Sequence, residues 1–185
     1  MMAKNDNGLV LSNEIDVNKV RQIQKRIDKN SDILDGIVSR LVSNYCEQLD
    51  NYMRYISCIL ADTNNPPTDK ELDDFILNIP VLLYFAGEGQ ESLGVKEDVA
   101  KAVKQELFNE TYDKAGGTIA DKTAVAELAT QNEYITYIAY NRAYKKIKVR
   151  CEAAYETLQS AKKILSRRMN EYDVTKVSPE RIGGM

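Results

Sequence analysis

The sequence contains no histidine. That removes the side chain that most often acts as a general base near neutral pH, and the commonest metal ligand with it. Glycine and proline are scarce, nine and four in 185 residues, and they cluster instead of recurring. An all-β chain needs turn residues at roughly every tenth position, so this composition points away from strands. Three cysteines, Cys46, Cys58 and Cys151, show neither CxxC nor ligand-type spacing. An odd count with no apolar leader fits a reducing compartment, and the expected location is cytoplasmic. The most apolar stretch, Phe75 to Ala86, is short and interrupted by Pro80. It falls below the length that crosses a bilayer, so no membrane partner is expected.

Catalytic signatures are missing as well. No phosphate-binding loop, dinucleotide fingerprint or nucleophile elbow occurs. Gly87-Glu88-Gly89 and Gly116-Gly117 lack both the preceding strand and the following Lys-Ser/Thr that a phosphate loop needs, so both read as turns. Carboxylate pairs such as Glu106/Glu110 have the spacing for a hard cation, but a di-metal bundle also draws histidines from Glu-x-x-His segments. Surface solubility is the better account of them. No enzyme activity, metal or cofactor is expected.

What remains is helical. At 29% charged and 43% hydrophobic residues the chain is in the globular range. Leu34, Val38, Leu41, Tyr45, Gln48, Tyr52, Tyr55 and Ile59 alternate steps of four and three, and Ile23 and Ile27 extend that face backward. Asn64-Asn65-Pro66-Pro67 stops this first helix. Thr68 with Glu71 matches a capping box, and a helix from there must kink or restart at Pro80. Gly87 to Gly94 reads as a loop before a helix of about Val95 to Lys114. Gly116-Gly117 ends that helix, and Thr118 with Asp121 starts its successor.

In the last helix Tyr140, Tyr144, Ile147, Cys151, Ala154, Leu158, Ala161 and Leu165 repeat at four and three, the mark of a seam held toward a partner helix. Upstream, Ala124, Leu128, Gln131, Ile135 and Ile138 keep the same intervals in another phase. A helix of that length, roughly 75 Å, is longer than any core this chain could build, so it must pack on the N-terminal helix or on another subunit. The expected class is all-α, a long helical hairpin or coiled-coil-like bundle with two short helices between the long ones. The organisation reads as a flexible arm over 1–15, a long helix over 16–62, a short-helix region over 68–115, a long helix over 118–171 and an irregular tail over 172–185.

Charge is uneven. From Arg142 to Arg168 nine basic residues, Arg142, Lys145, Lys146, Lys148, Arg150, Lys162, Lys163, Arg167 and Arg168, face only Glu152 and Glu156, for a net of +7. The rest of the chain must therefore carry −10 to give the total of −3. Such a stripe suits phosphates. It equally suits a solvated face or salt bridges to an acidic neighbouring subunit. Tyr140 and Tyr144 lie on the seam and read as packing, whereas Tyr134 and Tyr137 are candidates for stacking on bases.

The segment from Lys114 to Arg168 carries a resemblance. It runs Lys114-Ala115-Gly116-Gly117-Thr118, Asp121-Lys122, Ala124-x-Ala126-Glu127, Glu133-Tyr134, Tyr140-x-x-Ala143-Tyr144-Lys145-x-Ile147-Lys148 and Lys162-Lys163-x-x-Ser166-Arg167-Arg168. This order resembles phage recombination mediators of the UvsY kind, small helical proteins that load a RecA-like recombinase onto single-stranded DNA held by a single-strand-binding protein. The resemblance implies a ring-like homo-oligomer. It also implies DNA contact through basic residues before and within the long helix, Lys114 and Lys122 at the junction and Lys145 and Lys148 after the tyrosines. The compartment would then be the host-cell cytoplasm.

Overall fold

The computed structural model describes residues 17–177, and every regular element among them is a helix: α1 (Val17–Ala61), α2 (Asp69–Lys114), α3 (Ile119–Ala129) and α4 (Gln131–Val177). The protein is all-α. The arm expected over 1–15 and the tail from 178 onward lie outside the described residues. Of the tail expected to be irregular over 172–185, the part up to Val177 is helical and belongs to α4.

α1 is one 45-residue helix. After its last residue the Asp62 carboxylate accepts hydrogen bonds from the Asn64 and Asn65 backbone N–H groups at 3.0 and 3.3 Å, an Asx-type turn that redirects the chain before the two prolines. Thr68 then caps α2. The Glu71 N–H donates to the Thr68 Oγ1 at 3.3 Å, and the Thr68 N–H donates to the Glu71 carboxylate at 2.7 Å. Two of the donors left unpaired at the helix start are thereby satisfied.

The middle of the chain corrects the expected short-helix region. α2 is a single helix of 46 residues through Pro80 and through Gly87–Gly94, with neither a restart nor a loop. Pro80 lies on the exposed side, where water can serve the carbonyl that lost its N–H partner. Gly89 and Gly94 are contact points: Gly89 lies against the Tyr45 side chain and Gly94 against the Tyr144 ring. The glycines are there for close approach between helices. Gly117 is a true turn residue, with a φ of 103°. Thr118 and Asp121 cap α3 reciprocally as expected.

The last long helix also needs correction. It is divided at Thr130 into the 11-residue α3 and the 47-residue α4. The Thr130 hydroxyl donates to the Ala126 carbonyl at 3.0 Å, the back-bonding that bends helices, while the Tyr134 N–H still reaches the Thr130 carbonyl at 3.0 Å. The joint changes the buried face. Ala126 and Thr130 are buried, whereas Leu128 and Ile135, expected on an inward seam, are 67% and 49% exposed.

Two compact units divide at Asp35/Gly36, a boundary that falls within α1. In the first, the described turns of α1 carry Val17, Val20, Ile23 and Ile27 exposed. In the second, three long helices share a core. α1 runs antiparallel to α2: the Tyr52 hydroxyl donates to the Asp74 carboxylate at 2.7 Å, and Tyr45 meets Gly89 further along. α4 also runs antiparallel to α2, with Arg168 at Asp69 and Asn141 donating to Glu97. The α2–α4 pairing is the most extensive, and α3 folds onto α2. Val38, Val42, Cys46, Leu49 and Ile56 of α1 meet Leu72, Phe75, Ile79 and Leu93 of α2 and Ile147 and Leu158 of α4 in this interior.

Candidate nucleic-acid interface

The seam and the basic residues divide α4 between them. Ile147, Ala154, Leu158 and Ala161 are buried, Tyr140, Tyr144, Cys151 and Leu165 are half-buried, and Ala139 and Ala143 join them inside. Burial, with smaller contributions from Cys151 and Asp50, pushes the Cys46 thiol up to about 11, so it stays protonated. Cys151 is also raised by burial, and Cys58 is exposed.

The nine basic residues do not form one uniform stripe. Two of them hold the bundle together. The Arg150 Nε donates to both Asp50 oxygens, at 2.8 and 3.0 Å, tying α4 to α1. The Arg168 Nη1 donates to the Pro67 carbonyl at 2.7 Å and to Asp69 at 2.8 Å, closing the end where α2 begins. Two more are exposed with an acid on their own helix, Lys148 near Glu152 at 3.9 Å and Arg167 with Glu171 at 3.1 Å. Lys146 is half-buried and also makes a polar or ionic contact. Arg142, Lys145, Lys162 and Lys163 are exposed and, among the described residues, have no ion-pair partner.

Lys145 and Lys163 lie on the same side of α4, since a separation of 18 positions is five full turns, roughly 27 Å. Glu152 and Glu156 fall in the same sector between them and are exposed, so the outer face presents two positive patches with a negative gap.

The other candidates lie elsewhere. Lys114, at the end of α2, pairs with Glu110, and Lys122 of α3 lies 5.7 Å above the Tyr112 ring. Tyr134 is 48% exposed, but Lys104 lies over its ring at 4.5 Å and Tyr137 is stacked against it with centroids 6.4 Å apart. A base would have to displace one of these neighbours.

Two surfaces escaped the sequence reading. Lys19, Arg21, Lys25, Arg26 and Lys29 surround the exposed apolar stripe of α1, with Asp28 the one acid among them. The count of charges within 17–29 was the available signal. The second is a groove of about 380 Å³ between α2 and α4, lined by Val95, Val99, Val103, Glu133, Thr136 and Tyr140. Its three valines, four residues apart, are 57%, 56% and 47% exposed. One Glu133 carboxylate oxygen there is buried without a hydrogen-bond partner.

Among the described residues no cluster of histidine, cysteine, aspartate and glutamate could hold a metal ion, and no helix is long and apolar enough to cross a membrane. Comparison of the chain with protein-family models, with curated proteins and with solved structures returned no match.

Proposed function

We propose that this protein is a non-catalytic, self-assembling helical accessory factor that holds single-stranded DNA along the outer face of α4 and thereby promotes recombinase loading in homologous recombination. The observation that carries the reading is the pair of positive patches, Arg142 with Lys145 and Lys162 with Lys163, exposed and without ion-pair partners among the described residues. A rigid helix sets their separation. An extended strand crossing both would be held straight, which is the service a filament-forming recombinase needs. The link to a RecA-like recombinase and a single-strand-binding protein rests on the sequence resemblance alone.

The test is titration of an unlabelled single-stranded oligonucleotide by calorimetry at two salt concentrations. Each phosphate neutralised on a single strand contributes about −0.7 to the slope of log affinity against log salt, so four contacts give a slope of roughly −3. The double variant Lys145→Glu, Lys163→Glu should bind weakly and with a shallower slope. Absence of binding at low salt overturns the reading.

A second reading is a coiled-coil structural or adaptor protein with no nucleic-acid role. It is favoured by the internal use of Arg150 and Arg168 and by the acidic gap at Glu152 and Glu156. Under it, no oligonucleotide binds at either salt concentration, and the same variant weakens only contacts between subunits.

A further inference from the structure

The apolar residues of α1 do not end where its burial ends. Val38, Val42, Leu49 and Ile56 are sealed in the bundle, whereas Val20, Ile23 and Ile27, spaced three and four apart in the first unit, are 39%, 50% and 56% exposed. Steps of three and four keep such a stripe turned to one side of a helix, so these residues call for the same kind of seat as those further along.

A seat of that kind is open. The Gly36–Ala61 part of α1 rests in the trough between α2 and α4, fixed by Tyr45 against Gly89, by the Lys96 ammonium donating to the Tyr45 hydroxyl at 3.4 Å, and by Arg150 with Asp50. The groove of Val95, Val99, Val103 and Tyr140 lies between the same two helices, with Lys96 on its wall and no residue of α1 in its lining. Val95 to Val103 spans roughly 12 Å of helix and Val20 to Ile27 about 10 Å, so stripe and groove agree in length.

Charge agrees as well. The helix over residues 17–29 carries five basic residues against Asp28 alone, and α2 from Glu91 to Asp113 carries six acidic residues against three lysines. The unpartnered Glu133 oxygen in the groove wall is a buried acceptor without a donor, a costly arrangement that an incoming cation relieves. Arg26, next to Ile27 and three residues from Ile23, has the reach and the charge for it.

We infer that the first turns of α1 from one copy of this chain dock into the α2–α4 groove of a second copy, with Val20, Ile23 and Ile27 on Val95, Val99 and Val103 and Arg26 at Glu133. This names the contact for the self-assembly proposed above and is independent of any DNA. Stripe and groove are different surfaces, so two copies can exchange helices as a closed pair, or a series of copies can close as a ring.

Sedimentation equilibrium of the full chain without DNA tests it. The wild type should associate beyond its 20.9 kDa monomer. The stripe variant Ile23→Asp, Ile27→Asp and the groove variant Val99→Asp should each weaken association by about tenfold or more. All three positions are about half-exposed, so the bundle should keep its helical circular dichroism. Mixed together, the two variants should re-associate, because each brings the intact surface the other lacks. A wild type that stays monomeric, a variant that associates as the wild type does, or a mixture that stays monomeric overturns the inference. The milder substitution Ile27→Ala, expected to act in the same direction, covers a charged variant that fails to fold. Oligonucleotide binding without association would leave the DNA reading standing and remove this one.

Discussion

A methyl group at Gly89 would lie 2.5 Å from the Cβ and Cγ atoms of Tyr45, close to the α1 backbone and with no flexible chain end to move aside. At Gly87, two residues away on the same helix, nothing lies within 4 Å. Alanine at either position gains about 1 kcal/mol of helix propensity. At Gly89 the overpacking, about 1–3 kcal/mol, outweighs that gain. Gly89→Ala should therefore lower stability by up to about 2 kcal/mol and Gly87→Ala should raise it by up to about 1 kcal/mol, read from urea unfolding midpoints. Equal midpoints would contradict the close contact. Glycine is an ambiguous letter in a sequence, because it serves both turns and tight contacts. Gly117 could be assigned to a turn from its neighbours, whereas Gly89 and Gly94 could not be assigned to contacts without their partners on α1 and α4. The same limit hid the use of Arg150, whose partner Asp50 lies one hundred residues earlier.

Helix boundaries were legible where local chemistry sets them. Thr68 with Glu71 and Thr118 with Asp121 begin helices by satisfying their own first N–H groups, and no distant residue is needed. Thr130 was not legible as a joint, because a threonine inside a helical pattern reads the same whether or not its hydroxyl turns back to the preceding carbonyl. The caps make a prediction at this scale. The backbone N–H and hydroxyl of Thr68 hold the Glu71 carboxyl below its usual range, and those of Thr118, hydroxyl first, do the same for Asp121. A carboxyl depressed in the folded state adds stability above its unfolded value, near pH 4, and loses it as pH falls through the lower folded value. Amide exchange protection at the first turns of α2 and α3 should thus decline as pH falls below about 4, ahead of the bundle core. Glu71→Gln should flatten that dependence at α2 and leave α3 unchanged. Protection that falls uniformly along the chain would argue against a local origin.

At the scale of the molecule, the four–three repeat of α4 carried the all-α class and the inward side of its second half, since burial of one helical face is written in the spacing. The middle helix was harder to read because its apolar residues fall on more than one side, Leu72, Phe75 and Ile79 inward and Leu77, Val81 and Phe85 outward. The basic residues were legible as a composition but not as a surface, because their neighbours across the bundle decide which remain open. One feature of the interior bears on heat. Among the described residues 17 apolar side chains are buried and six of them are alanines, with Ala139, Ala143, Ala154 and Ala161 on α4 alone. Alanine brings helices close while removing little hydrocarbon from water, and newly hydrated hydrocarbon is what raises the heat capacity on unfolding. Scanning calorimetry should give an increment below the usual ~12 cal/mol/K per residue. The curve of free energy against temperature would then be broad and shallow, so that warming erodes this bundle slowly.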